Sequence, residues 1–206
     1  SRRFVINNNT PLLAETNTSQ PAYITGGHGF IGWATNLYSG LNPASVYMKT
    51  NGGSFAYAGD GPVWSTNFAT TGVPDGTNIF TFIAVSSNSK TNTYYQTNTV
   101  DNSAPTAAVT NPAADTLLDG TAAITGSLSD PHSGISNAVF YLTNTSLGTV
   151  TNIQAVFDQT SWSFSLETTY VPDGEYYAYI SVTNRVLIGY DSPSRRFIIN
   201  NNAPLL

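Results

Sequence analysis

Residues 161–174 read SWSFSLETTYVPDG. The first six alternate strictly, with Trp162, Phe164 and Leu166 on one side and three serines on the other. That period of two marks a β-strand with one face buried. The VPDG that follows is a turn, because Pro172 pre-sets φ and Gly174 tolerates φ > 0. Residues 176–182 resume an extended, aromatic-rich run beyond it. Working outward, residues 107–110, 122–128, 138–142, 153–157 and 195–200 are short apolar runs bounded by turn clusters such as Asn111-Pro112 and Asp130-Pro131. Seven short strands with no helical periodicity longer than about one turn predict an antiparallel β-sandwich.

The same pattern occurs earlier. Val73-Pro74-Asp75-Gly76 anticipates Val171-Pro172-Asp173-Gly174, and Trp64 anticipates Trp162, both at an offset of 98. Ile24-Thr25-Gly26 matches Ile124-Thr125-Gly126 at an offset of 100, and Ser39-Gly40 matches Ser133-Gly134 at 94. Read this way, the first copy holds about six extra residues within 27–38 (GHGFIGWATNLY), a long aromatic loop. The other strands expected there are 23–25, 44–50, 55–58, 63–68, 79–85 and 94–100. The chain is thus two tandem sandwiches, 11–104 and 105–206.

A third repeat frames them. Residues 1–13 read SRRFVINNNTPLL and residues 194–206 read SRRFIINNNAPLL, with 11 of 13 positions identical. Repeats of this strength define architecture before any other signal. The C-terminal copy is expected to be the last strand of the second sandwich. Residues 1–10 are then an orphan terminal strand belonging to a preceding or neighbouring unit, with Phe4, Val5 and Ile6, like Phe197, Ile198 and Ile199, as assembly residues. The start at Ser1, with no initiator Met and no secretory apolar core, adds the expectation that the chain is a stretch of something longer.

Composition narrows the function. Thr (28), Ser (21) and Asn (21) supply 70 of 206 residues, while only 9% are charged. Solubility therefore rests on hydroxyls and amides. Seven basic residues cannot build a phosphate-tracking surface, which excludes nucleic acid. No run approaches the ~18 apolar residues of a membrane span. The lack of Cys excludes disulfides and thiolate chemistry. Residues 91–99 (TNTYYQTNT) form an uncharged strand of high β-propensity, expected to be covered in an assembly, since exposed edges normally carry charge.

With these residues in view, a family resemblance emerges. Residues 104–106 (APT), 110–113 (TNPA), 123–130 (AITGSLSD), 133–135 (SGI), 139–142 (VFYL), the VPDG turn and the closing 100–105 (VDNSAP) together resemble the bacterial immunoglobulin-like repeats of large secreted or cell-surface proteins. The resemblance implies a sandwich strung in tandem, acting as a spacer or adhesion module rather than a catalyst.

The chemistry-bearing residues are few. Asp75 and Asp173 sit in a turn present in both units, where each is expected to cap its own turn backbone. Tyr176 resembles a tyrosine-corner residue; its counterpart Asn78 has no ring to span the turn. His28 and His132 are isolated loop residues. Asn8-Asn9-Thr10, Asn17-Thr18-Ser19 and Asn144-Thr145-Ser146 match the glycosylation acceptor pattern. No cofactor is expected, with calcium at the joint, held by Asp101 and Asp130, as the one candidate metal; against it stands the reading of the joint asparagines as Asx turns. Phe30, Trp33 and Tyr38 are the candidate sugar-stacking residues. The chain is therefore expected to be no enzyme. It is read as a structural or adhesive repeat of a long extracellular filament, stalk or surface protein, assembled end to end with copies of itself or adjacent repeats, with glycans or other cell surfaces as further partners. The alternative is a carbohydrate-binding accessory module built on residues 27–38.

Overall fold

A computed structural model describes residues 8–16, 22–36 and 44–202. The chain divides between Asn102 and Ser103 into two compact units. Phe4, Val5, Ile6, Tyr38 and the Asn17 acceptor site lie outside the described residues.

Unit 1 contains β1 (Leu12–Glu15), β2 (Tyr23–Ile24), β3 (Gly27–Thr35), β4 (Ser45–Thr50), β5 (Ala56–Asp60), β6 (Val63–Ala69), β7 (Gly76–Val85) and β8 (Thr91–Val100). They form a three-stranded sheet, β1-β3-β6, and a five-stranded one, β2-β8-β7-β4-β5. Unit 2 contains β9 (Thr106–Asn111), β10 (Leu117–Leu118), β11 (Thr121–Ser129), β12 (Ile135–Asn144), β13 (Gly148–Gln154), β14 (Val156–Phe157), β15 (Ser161–Glu167), β16 (Gly174–Asn184), β17 (Gly189–Asp191) and β18 (Arg195–Ile199). Its sheets run β14-β15-β11-β9 and β10-β18-β16-β12-β13, with β17 also on β16. The all-β sandwich read from the alternation holds.

Alternation explains the cores. Along β16, Tyr176, Ala178, Ile180 and Val182 all point inward and are fully buried. They meet Phe140 and Leu142 of β12, Trp162 and Leu166 of β15, and Phe197 and Ile199 of β18 in one cluster. Burying each large side chain contributes about 1.5–3 kcal/mol. Unit 1 gathers Phe30, Val46, Trp64, Phe80, Phe82 and Val100 in the same way. Its rings pack closely: Phe30 lies 5.0 Å from Phe80 and 5.2 Å from Phe82, and Trp64 lies 5.1 Å from Phe82.

Residues 27–35 correct the expectation of an aromatic loop. They are strand β3, the centre of its sheet, paired to β1 and β6. The alternation of Phe30, Gly32 and Ala34, all buried, is what makes them a strand. The alignment of Gly26 with Gly126 falls with that loop. Gly32 lies opposite Trp64, just as Gly126 lies opposite Trp162. Ile24 pairs with Val100 in parallel, as Leu118 does with Ile199. Ile24 with Leu118 and Gly32 with Gly126 stand at an offset of 94, the same as Ser39-Gly40 with Ser133-Gly134, so no six-residue insertion lies in 27–38.

The glycine–tryptophan pairs are steric necessities. A Cβ on Gly32 would stand 2.2 Å from the Ala14 carbonyl oxygen and 2.6 Å from the Trp64 ring. On Gly126 it would stand 1.9 Å from the Ala108 carbonyl oxygen and 2.4 Å from Trp162 Nε1. Both large rings lie directly on the neighbouring strand, and only glycine leaves room. Trp162 Nε1 also donates to the Ala108 carbonyl at 3.1 Å.

Strand β8 is hydrogen-bonded to β7 along its whole length. On its other side the described residues pair only Tyr23 and Ile24 with Thr99 and Val100.

Candidate functional site

The feature shared by both units is a polar clasp where the closing strand ends. In unit 2, Thr168 Oγ1 donates to Asn201 Oδ1 at 2.7 Å, and Asn201 Nδ2 donates back to the Thr168 carbonyl at 3.0 Å. Thr168 Oγ1 also lies 2.8 Å from the Gly120 carbonyl, and the Asn201 N–H donates to Asp173 Oδ1 at 2.8 Å. Unit 1 repeats every contact. Thr70 Oγ1 reaches Asn102 Oδ1 at 2.7 Å, Asn102 Nδ2 reaches the Thr70 carbonyl at 3.1 Å, Thr70 Oγ1 lies 3.1 Å from the Gly26 carbonyl, and the Asn102 N–H donates to Asp75 Oδ1 at 2.7 Å.

Thr70 and Thr168 are fully buried. A buried hydroxyl must be satisfied, and here the glycine carbonyl and the arriving Asn share it, which ties the closing strand to that register. Asp75 and Asp173 thus accept from an amide 27 and 28 residues onward. The expectation that each serves its own turn is corrected: the turn leans on its glycine, with Gly76 at φ +106° and Gly174 at φ +152°, and the carboxylate holds the departing strand.

The tyrosine corner is present. Tyr176 Oη donates to the Pro172 carbonyl at 2.7 Å. Asn78 performs the same task without a ring: its Nδ2 donates to the Pro74 carbonyl at 2.9 Å and the Gly76 carbonyl at 2.8 Å, while its Oδ1 accepts from Asn51 at 2.8 Å. Burial, then the nearby Asp173 charge, pushes the Tyr176 hydroxyl above its ordinary value.

Asp130 is a loop anchor. Its Oδ1 accepts the N–H groups of His132, Ser133 and Gly134 at 3.1, 2.9 and 2.9 Å. Its Oδ2 accepts from Asn184 Nδ2 at 3.0 Å, and that amide also reaches the Ser103 carbonyl at 3.2 Å. Burial pushes the carboxyl up, but Asn184 and the three loop amides outweigh it and hold it below the ordinary value. The candidate calcium ligand therefore directs both oxygens to groups of its own unit. Asp101 is buried, and its N–H donates to the Ile24 carbonyl at 3.0 Å. Among the described residues no group of three or more His, Asp or Glu side chains is assembled for a metal.

The proposed sugar platform does not form from Phe30 and Trp33. Phe30 is fully buried in the core, whereas Trp33 is half-buried on the opposite face of β3. An odd spacing along a strand sends two rings to opposite sides. His28 lies within β3, its ring edge-on to Phe30 at 4.7 Å. Burial holds its imidazole below the ordinary value, against a smaller opposing influence of Glu15.

Arg196 organises the outer face of unit 2. It forks Glu175, with Nε at 2.8 Å from Oε1 and Nη2 at 2.9 Å from Oε2, and also bonds Asp115. Arg196, with help from the Tyr177 hydroxyl, pulls the Glu175 carboxyl down to about 2. Arg195 Nη1 donates to the Pro112 carbonyl at 3.1 Å. Sequence reasoning gave these two arginines no role; their only signal was their repetition at residues 2 and 3.

Two-sheet units with a repeated closing clasp define a class of immunoglobulin-like β-sandwich repeat. Residues 105–179 match the family model of the bacterial Ig domain, bearing out the resemblance seen in the sequence of the second unit. No curated protein matches. Among solved structures, that of a 1.5-MDa bacterial ice-binding adhesin, concerned with its retention at the host cell surface, is 13% identical with a TM-score of 0.52, covering 96% of this chain and 67% of that one. A tetra-tandem repeat from the extending region of a large adhesion protein is 16% identical at 0.43, covering 93% of this chain and 49% of that one. The fibronectin(III)-like modules of CbhA from Clostridium thermocellum are 14% identical at 0.40, covering 92% and 94%. This chain thus spans about half the length of the adhesion-protein repeat structure. At that identity the likeness to the adhesin shows the fold alone. Among the described residues no helix is long and apolar enough to cross a membrane.

Proposed function

We propose that this chain is a structural or adhesive repeat module of a long extracellular filament, stalk or surface protein, joined end to end to further repeats through strand and joint contacts, and that its role is mechanical rather than catalytic. The observation that carries the reading is the clasp, built twice from the same residue types around Asn102 and Asn201. A repeated device that locks the terminal strand of each unit is what a load-bearing array requires. Units in such arrays contribute stability additively, with neighbour terms. The match to bacterial Ig domains and the low charge, which permits lateral association, support it. Electron microscopy of native material tests the reading. Filaments with an axial repeat near two sandwich lengths are expected; isolated two-lobed particles would overturn it.

A further inference from the structure

The two sheets of unit 1 part at one side. β5 is the edge of the five-stranded sheet and β6 the edge of the three-stranded one, with only Gly61 and Pro62 linking them. Beside that link the edges are close: a Cβ on Gly59 would stand 3.2 Å from Trp64 Cβ and 3.5 Å from the Ser65 nitrogen. Toward the turn between β4 and β5 they diverge, and a cleft of about 460 Å³ opens. Unit 2 treats the same edge differently. There β14 covers β15, with Val156 opposite Ser163 and Phe157 opposite Trp162. Among the described residues β6 pairs with β3 alone.

Thr50, Ser54, Thr66 and Asn67 line the cleft, together with the rings of Tyr57 and Phe68. Ser54, Tyr57 and Asn67 are exposed, while Thr50, Thr66 and Phe68 are half-buried. Thr50 Oγ1 itself is buried and has no hydrogen-bond partner in the chain. A hydroxyl in that state costs free energy unless a group from outside completes it. Among the described residues no acidic side chain lines the cleft. Its cation, Lys49, holds its ammonium 4.8 Å from the centroid of the Phe55 ring.

This lining selects a kind of ligand. The volume falls in the range of small-molecule sites. A cation would find no carboxylate, and an anion would have to draw Lys49 off Phe55. A peptide adding to the edge of β6 would need a longer ladder than residues 66–68, the stretch that borders the cleft. A sugar fits what is there. Its C–H face suits an aromatic ring, and its hydroxyls both donate and accept, as a threonine hydroxyl, an asparagine amide and two strand edges require.

We propose that the cleft between β5 and β6 of unit 1 binds a neutral sugar residue, with the Thr50 hydroxyl and the Asn67 amide as its hydrogen-bonding groups and Tyr57 as its aromatic wall. The site lies apart from Phe30 and Trp33. It adds a ligand to the repeat-module reading and does not rest on it.

The test titrates the full chain with the methyl glycosides of glucose, galactose and mannose, and with glucuronic acid, followed by heteronuclear NMR. At least one neutral glycoside is expected to shift the amide signals of residues 50–57 and 65–69 in a saturable way. Thr50→Val removes no bond within the chain. It should melt as the parent does, yet bind that glycoside about five- to tenfold more weakly, as the loss of one hydrogen bond implies. Asn67→Ala and Tyr57→Ala, both at exposed positions, should also weaken binding. Tyr95→Ala removes an exposed ring outside the cleft and should leave binding unchanged. No shift at the β5 and β6 edges with any of the three glycosides overturns the proposal. So do shifts that Thr50→Val and Asn67→Ala leave unaltered, and so does glucuronic acid binding more tightly than every neutral glycoside. None of these results bears on the filament reading, which microscopy of native material decides separately.

Discussion

Thr168 and Asn201 hold each other twice, hydroxyl to amide oxygen at 2.7 Å and amide nitrogen to carbonyl at 3.0 Å, across 33 residues of sequence. Thr70 and Asn102 do the same in unit 1 at 2.7 and 3.1 Å. Thr168→Val leaves the Asn201 amide oxygen without its donor, and Asn201→Ala leaves the buried Thr168 hydroxyl with the Gly120 carbonyl alone, so each is expected to destabilise unit 2 by about 1–2 kcal/mol. The double variant should cost less than the sum, because the two residues share bonds. Urea denaturation of the four proteins checks this, and strict additivity would show that the clasp is not a coupled pair.

The glycines beneath the tryptophans give a sharper contrast. Gly126→Ala sets a methyl 1.9 Å from a backbone oxygen, and Gly32→Ala sets one 2.2 Å from another. Neither oxygen can withdraw without breaking a strand pairing. Each substitution is expected to cost more than about 3 kcal/mol, at the upper end of overpacking effects. Gly29→Ala, on the same strand as Gly32, meets nothing within 4 Å and should be close to neutral. Calorimetry of the three variants separates the cases.

Tyr176→Phe tests the corner. It removes the 2.7 Å bond to the Pro172 carbonyl and leaves the ring packing intact. The expected loss is about 1 kcal/mol. Asn78→Ala removes two donated bonds and the one accepted from Asn51 and should cost more. Equal effects would mean that the additional bonds of Asn78 add nothing to stability.

Acid should weaken unit 2. Arg196, then Tyr177, pulls Glu175 down to about 2 from an ordinary 4.5, and the Thr160 and Ser161 amides and hydroxyls pull Asp158 down to about 2 from 3.8. Asp130 is also held low, Asn184 and the loop amides outweighing its burial. A carboxyl whose folded value lies below its unfolded value adds stability that is fully present above the unfolded value. That stability is lost as pH falls toward the folded value. The melting temperature of unit 2 should therefore hold above about pH 5 and decline between about pH 4.5 and 2. Glu175→Gln should flatten part of the decline. An unchanged pH profile in that variant would show that the Arg196 fork adds nothing to folding.

Local chemistry was open to reading. Alternation around Trp162, the VPDG turns and the repeats are encoded in consecutive residues, and they were enough to give an all-β chain of two tandem sandwiches. Residues 27–38 went astray because Gly27, Gly29 and Gly32 look like loop punctuation. Gly32 is glycine because the Ala14 carbonyl and the Trp64 ring, on the strands to either side, occupy the space of a side chain. The match of ITG to ITG misled for the same reason: similar letters outweighed pairings that the sequence does not show.

The sequence by itself determined the fold class and the recurrence of the SRRF…INNN stretch, because strand period, turn chemistry and self-similarity are properties of the chain read in order. Only the tertiary structure decided that Asp75 and Asp173 hold the departing strand and that Asn78 can stand in for Tyr176. It also decided that Phe30 and Trp33 face opposite ways. The first joins groups 27 and 28 residues apart, the second needs Asn51 to be brought against Asn78 beside the turn carbonyls, and the third follows from the pleat that sends alternate side chains to opposite faces.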